Sequence, residues 1–265
     1  MGQYLEVVKD RHIIRMTLNR ADKHNAFNAD FIQEITDAFR EANGDKTARC
    51  VYVEANGPSF CAGADLNWMK ESKDFSREQN IEDAEKLFDM FEAVRSCELP
   101  VIAKVHGNVF GGGLGLVAAC DIAAADRSAK FSFSEVRLGL VPAVISSFVL
   151  NKCNKRLASE YMISGQLFEG EVALQMGLIN HFDPEIQVNK YLDKNIEAFA
   201  SLGPEAVKST KQLVNQQLGQ EIQDIKKHCA ELIAEKRVGT EGQEGLAAFF
   251  EKRSANWVIE NESKD

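Results

Sequence analysis

Residues 107–116 read GNVFGGGLGL, five glycines within nine positions. The stretch follows an apolar β-type run, PVIAKV at 100–105, and continues into LVAACDIAAAD, an apolar run with helical spacing. Glycine inside a helix costs about 0.5–1 kcal/mol relative to alanine, so glycines gathered at a helix start mark a place where bare backbone is needed. The N–H groups of a first helical turn have no partner within the helix, and the helix dipole adds partial positive charge there. Such a turn can hold an anion, or a carbonyl oxygen that becomes anionic during a reaction. Close packing of a helix on a sheet asks for the same small residues, and this stretch alone leaves both readings open.

A strand followed by glycines and a helix also fits a dinucleotide fold, and GLGLVA at 113–118 matches the loose form G-x-G-x-x-A. In that fold the first glycine closes directly on the strand, whereas here HGNVF intervenes, and no second half of the fold follows. A second stretch carries the same chemistry as the first. SFCAGADLNWM at 59–69 follows the strand-like CVYVEA and the turn NGPS, placing Ala62, Gly63 and Ala64 where backbone is approached closely. Two such loops, each supplying one N–H to a shared oxygen, make an oxyanion hole. Asp65 is placed to cap the helix-like run that follows. Cys61 has apolar neighbours and no histidine nearby in sequence, which favours a buried thiol over a nucleophile.

The 265-residue chain is long enough for one large domain, and its 45% hydrophobic and 27% charged residues are ordinary for a globular protein. A net charge of −9 argues against nucleic acid or an anionic membrane as the main partner. Six scattered cysteines without a CxxC pair read as buried free thiols, and no apolar stretch approaches the ~20 residues of a membrane span. The MGQYLE start carries neither a signal-peptide nor a myristoylation pattern, and a cytoplasmic location is expected. Strand-like runs at 4–8, 13–18, 50–55 and 100–105 alternate with helical patterns at 31–42 and 84–96. After about residue 145 the pattern turns almost wholly helical, with runs at 155–164, 170–176, 187–200, 205–217, 220–236 and 241–255. The texture predicts an α/β core over 1–200 and a helical region over 201–265, with no linker between them.

Taken together, these segments resemble the crotonase, or enoyl-CoA hydratase/isomerase, superfamily along nearly the whole chain. LNRADKHNAFN at 18–28 is similar to its CoA-binding segment, SFCAGADL at 59–66 to its first oxyanion loop, and the 100–126 stretch to its second loop and following helix. FSFSEVRLGLVP at 131–142 is similar to its catalytic segment and EGLAAFFEKRSANW at 244–257 to its C-terminal helix. The resemblance implies a crotonase-like α/β spiral of ββα units with a helical trimerisation region that covers the CoA site. It implies a homotrimer or dimer of trimers, an acyl-CoA substrate, and no cofactor or metal, since coenzyme A is part of the substrate.

Carried over residue by residue, the resemblance implies that the N–H groups of Ala64 and Gly112 form the oxyanion hole and that Glu135 moves the proton. Lys23, Ala26, Ala62, Asp65, Leu66, Asn67, Gly111, Gly115 and Pro142 fall at positions expected to line the CoA and acyl groups. Phe249 and Lys252 are expected to touch a neighbour's CoA. Glu135 lies between apolar flanks that would raise its pKa. The family's hydratases usually carry a second glutamate, and its position holds Gly115 here. A lone carboxylate suits either hydration of a 2-enoyl-CoA or the carbon-to-carbon proton shuttle of an enoyl-CoA isomerase. The spelling GADLNWMK, GLGL and SEVRLGLVPAVIS resembles bacterial methylglutaconyl-CoA hydratase-like members, whose substrate has a distal carboxylate. Lys70, Lys104 and Arg137 are the basic residues considered for it, since a buried unpaired carboxylate is costly. A non-catalytic acyl-CoA or RNA binder is the rival of another class, and the acidic charge disfavours RNA.

Overall fold

The computed structural model describes residues 2–219, 230–231, 233–235 and 237–255. Strands β1 (Leu5–Asp10) and β2 (Ile13–Leu18) form an antiparallel hairpin. β3 (Cys50–Ala55), β5 (Val101–Val105), β7 (Ile122–Asp126) and β10 (His181–Asp183) then add in parallel, giving a six-stranded sheet of order β1-β2-β3-β5-β7-β10. Alternate residues face opposite ways along these strands, as the pleat requires. Ile14, Met16, Val51, Val53, Val101 and Ala103 point into the main core. Ile13, Cys50, Tyr52, Ile102 and Ala124 point to the other face. There Val188, Leu192 and Ile196 of helix α8 (Glu185–Ser201) cover them.

A second sheet of order β4-β6-β8-β9 is built from very short strands, β4 (Ser59–Cys61), β6 (Asn108–Phe110), β8 (Lys130–Ser132) and β9 (Phe168–Glu169). β4, β6 and β8 are parallel neighbours, and β9 closes antiparallel on β8. β4, β6 and β8 each follow a strand of the large sheet, so β3-β4, β5-β6 and β7-β8 begin successive ββα units of a spiral. The helices α2 (Leu66–Glu71) and α3 (Arg77–Ser96) complete the first unit, α4 (Gly112–Ala119) the second, and α5 (Ala143–Lys152) the third. The α/β spiral expected from the sequence is the fold found.

Several local expectations change. NVF at 108–110 is strand rather than loop, and the apolar run expected as helix ends at Ala119 and resumes as strand β7. The break falls at Cys120 and Asp121, where the Asp121 carboxylate accepts the Val101 N–H at 2.7 Å and so begins the next strand pairing. The helical half also contains β9 and β10, too short to leave a period-2 signature. Helix α3 begins seven residues before the apolar pattern at 84, because Ser76 and Gln79 form a reciprocal capping box.

Helices α1 (Ala29–Ala42), α6 (Lys155–Ser164), α7 (Gly170–Met176), α9 (Pro204–Gly219) and α10 (Thr240–Glu251) complete the elements used below. The helix expected over 220–236 lies mostly outside the described residues, as do Cys229 and Trp257. Cys50, Cys61, Cys97, Cys120 and Cys153 are free and buried. Among the described residues no helix is long and apolar enough to cross a membrane.

Candidate active site

The carboxyl ends of β4, β6 and β8 lie side by side, and three loops leave them: 62–65, 111–112 and 133–135. At the first loop the backbone of Phe27 pairs with it on both sides. The Phe27 N–H donates to Gly63 O at 2.7 Å, and the Asp65 N–H donates to Phe27 O at 2.8 Å. That pattern turns the intervening Ala64 N–H away from Phe27. At the second loop Gly111 precedes the first turn of α4, so the Gly112 N–H has no intrahelical acceptor. Among the described residues neither N–H has an acceptor. Both loops are packed against each other and on Phe27. A Cβ on Gly63 would sit 3.0 Å from Phe110 O, and one on Gly112 would sit 3.1 Å from the Phe27 ring. Gly63 (φ +91°) and Gly111 (φ +48°) both use the left-handed region, which glycine enters at little cost.

The third loop is a short 3-10 turn, Ser134–Leu138, ended by Gly139 and held by the Leu140 N–H donating to Glu135 O at 3.0 Å. It brings the Glu135 carboxylate beside the second loop, with Oε1 3.3 Å from where a Gly111 Cβ would stand. Oε2 is out of solvent and has no hydrogen-bond partner among the described residues. Burial disfavours the charged form, and the pKa is pushed up to about 7. A carboxyl poised at neutral pH is what a general acid–base needs.

Asp65 turns the other way. Its Oδ1 caps α2 by accepting from the Asn67 and Trp68 N–H groups, and Oδ2 accepts from Arg20 Nη1 at 2.6 Å. Burial would raise its pKa, but Arg20 and the two N–H groups outweigh it and hold the carboxylate below its usual range. Arg20 also donates to Ala26 O and packs over the Tyr4 ring. This buried ion pair fixes the loop that carries Ala64. Cys61, behind the loop, has its thiol pushed up to about 12 by burial, which leaves it unionised and unsuited to nucleophilic attack.

The three loops open on a cavity of about 610 Å³. Of the residues singled out in the sequence, Ala62, Ala64, Leu66, Gly111, Gly112, Glu135, Arg137, Pro142 and Phe249 line it. Phe249 stands on the cavity of its own chain. Lys23, Asn67 and Lys252 are exposed outside it, whereas Ala26 and Asp65 are buried beside it. Two of the basic residues considered for a distal carboxylate are displaced. Lys104 lies in the same alternation as Ile102, on the face covered by α8, and pairs with Glu185 at 2.8 Å. Lys70 is two residues past the inward-facing Trp68, about 200° around the helix, and faces solvent. Arg137 stays at the cavity and donates through Nε to Gly165 O at 2.8 Å.

Gly115, expected at the site, is buried one turn behind Gly112 and does not line the cavity. A Cβ there would meet Ile145 Cγ2 at 2.6 Å and Phe91 Cζ at 2.8 Å. The position usual for a second glutamate is therefore filled by hydrocarbon from α3 and α5.

The cavity also exposes residues that carry no local signal. Arg237 lines it, 12% exposed in its side chain, with Nη1 3.0 Å from Asp83 Oδ2 and its guanidinium 5.7 Å from the Trp68 ring centre. The Trp68 side chain also hydrogen-bonds Asp83. Burial raises the Asp83 pKa, and Arg237 offsets part of that shift. Arg237 lies 154 positions from Asp83, so only folding could join them.

The comparisons with known proteins bear on the family of this fold. The model of the family described as enoyl-CoA hydratase/isomerase matches residues 9–260. The chain belongs to the enoyl-CoA hydratase/isomerase family. It is 28% identical over 254 residues to the 2,3-dehydroadipyl-CoA hydratase of Escherichia coli, covering 96% of this chain and 98% of that one. The crystal structure of an enoyl-CoA hydratase from Mycobacterium avium superposes with a TM-score of 0.88 at 30% identity, covering 97% of this chain and all (100%) of the other. An enoyl-CoA hydratase from Shewanella pealeana is 37% identical with a TM-score of 0.79, covering 96% of each chain.

Proposed function

We propose that this chain adds water reversibly to a 2-enoyl-CoA thioester, with Ala64 and Gly112 holding the thioester oxygen and Glu135 alone moving the proton. The observation that carries the reading is the Glu135 carboxyl, its Oε2 without a partner among the described residues and its pKa near 7, beside two unsatisfied N–H groups at one cavity. In the forward direction the Glu135 carboxylate takes a proton from water as the oxygen bonds to C3. The C2–C3 electron pair moves into the thioester, whose oxygen becomes anionic against the two N–H groups. The enolate then collapses, and the Glu135 carboxylic acid returns the proton to C2. One carboxylate serving both steps from one side gives syn addition. Each oxyanion N–H is worth about 2.7–4 kcal/mol of transition-state stabilisation.

The finer assignment is a branched, carboxylated acyl group of the 3-methylglutaconyl-CoA type. It rests on the spelling of the three loops and on a relative whose printed activity, hydration of 2,3-dehydroadipyl-CoA, names a carboxylated substrate. We also place the protein in the cytoplasm as a homotrimer or dimer of trimers, the assembly the family resemblance implies.

A second reading is favoured by Gly115. With Phe91 and Ile145 filling the place of a second water-holding carboxylate, Glu135 could instead carry a proton from C2 to C4 of a 3-enoyl-CoA. The two readings part on substrate. Supplied with a 2-enoyl-CoA, a hydratase gives a product heavier by one water and loses the absorbance of the conjugated thioester. If only the 3-enoyl ester reacts, gaining that absorbance without mass change, the hydratase reading is overturned in favour of the isomerase.

A further inference from the structure

Three arginines line the cavity, and they are not equivalent. Arg253 is 41% exposed and already engaged by Glu244 and Glu251, and Arg137 is exposed with its Nε given to Gly165 O. Arg237 is the enclosed one, among Trp68, Leu87, Ile233 and Leu246. A guanidinium has five N–H donors in two edges. Among the described residues only Nη1 meets an acceptor, the Asp83 carboxylate, while the Trp68 ring lies near the guanidinium. Asp83 thus holds the group in place without exhausting it.

We propose that Arg237, steadied by Asp83 and Trp68, recognises a carboxylate at the far end of the acyl chain and so sets the substrate class. An alkyl terminus in this cavity would leave charged N–H donors facing hydrocarbon, which is costly. A terminal carboxylate takes the donors Asp83 leaves unused and shares the cation with it, in the forked geometry guanidinium favours. Trp68 and Arg237 line the same cavity as Ala64, Gly112 and Glu135, so one acyl chain can meet both groups.

The proposal rests on the acyl-CoA reading above, and its test separates the two. Glutaryl-CoA and pentanoyl-CoA have the same number of carbons and no double bond, so they bind without reacting. Titration calorimetry on the intact protein is expected to show glutaryl-CoA tighter than pentanoyl-CoA by on the order of tenfold to a hundredfold. In Arg237→Met that ratio should collapse towards one, and in Arg237→Lys it should survive in part. Equal affinity of the wild type for the two esters overturns the proposal without any variant. A uniform loss for both esters in folded Arg237→Met also overturns it, because that marks a purely structural ion pair. Failure of the wild type to bind either ester overturns the acyl-CoA reading itself, and the proposal with it.

Discussion

The Glu135 carboxyl carries one oxygen, Oε2, that is out of solvent and has no partner among the described residues. Its folded pKa, about 7, stands above a glutamate's ordinary value of 4.5. The folded protein therefore binds this proton more tightly than the unfolded chain does. Its contribution to stability is full below pH 4.5 and is lost as pH rises through 7. Glu135→Gln removes that loss, so the variant should gain on the wild type across this window, by at most about 3 kcal/mol at pH 8. Denaturant titrations at pH 5 and pH 8 measure the difference. Activity runs the opposite way. The reaction starts from the carboxylate, so kcat/KM should rise with pH along a limb near pH 7. Glu135→Gln should lower turnover by roughly 10²–10⁴-fold. A wild-type profile flat from pH 5 to 9 would remove Glu135 as the base. Gly115 is the second decisive residue. Gly115→Glu should not supply the missing carboxylate, because its stem collides with Ile145 and Phe91. We expect a loss of about 1–3 kcal/mol and no gain in hydration rate. A more active, equally stable variant would show that the space opens.

Helix α2 links a cap to Ala64, the proposed oxyanion donor. Asp65 holds the helix start through Asn67 and Trp68 and faces Arg20, whose side chain is 10% exposed, across 2.6 Å. Asp65→Ala deletes the cap, worth about 1 kcal/mol, and also orphans a buried guanidinium, for a combined cost of about 3–5 kcal/mol. Because Ala64 adjoins the cap, kcat should fall more than KM rises; a change confined to stability would detach this ion pair from the site. Helix α4 shows how small residues serve an element. Its start must stay bare for Gly112, while its buried face admits Phe91 and Ile145 only because position 115 has no side chain. At its other end the Lys152 ammonium donates to Ala118 O and Cys120 O, closing carbonyls the helix leaves open.

At the scale of the whole molecule, the C-terminal helices finish the site. Ile233, Arg237, Leu246 and Phe249 bring α10 and helical residues before it onto a cavity begun by the spiral. Occupancy should therefore slow hydrogen exchange in Thr240–Glu251, measured with and without a saturated acyl-CoA. Unchanged exchange there would mean the helix takes no part in binding. Helix α9 is fastened by Lys211, whose Nζ donates to Leu99 O at 2.9 Å and pairs with Asp121 at 2.6 Å. That aspartate also starts β5, so one ion pair couples the tail to the sheet.

Much of this was written locally. Apolar runs of strand and helix period fixed the α/β class, and the long strands β1, β2, β3 and β5 and helices α6 and α7 fall within a residue or two of their patterns. The glycine loops and Glu135 could be singled out as candidates too, because a bare backbone and a carboxylate between apolar flanks are properties of a few adjacent residues. What no local pattern holds is adjacency. β4, β6 and β8 are each three residues long, below any periodic signal, yet their parallel pairing brings three loops to one point. The choice among basic residues was decided the same way. Strand alternation turned Lys104 to the far face, helix rotation turned Lys70 to solvent, and packing of the C-terminal segment on α3 brought Arg237 to Asp83. Sequence determined which chemical groups the chain possesses; the tertiary fold decided which of them share a cavity, because contact across 154 positions depends on every element between.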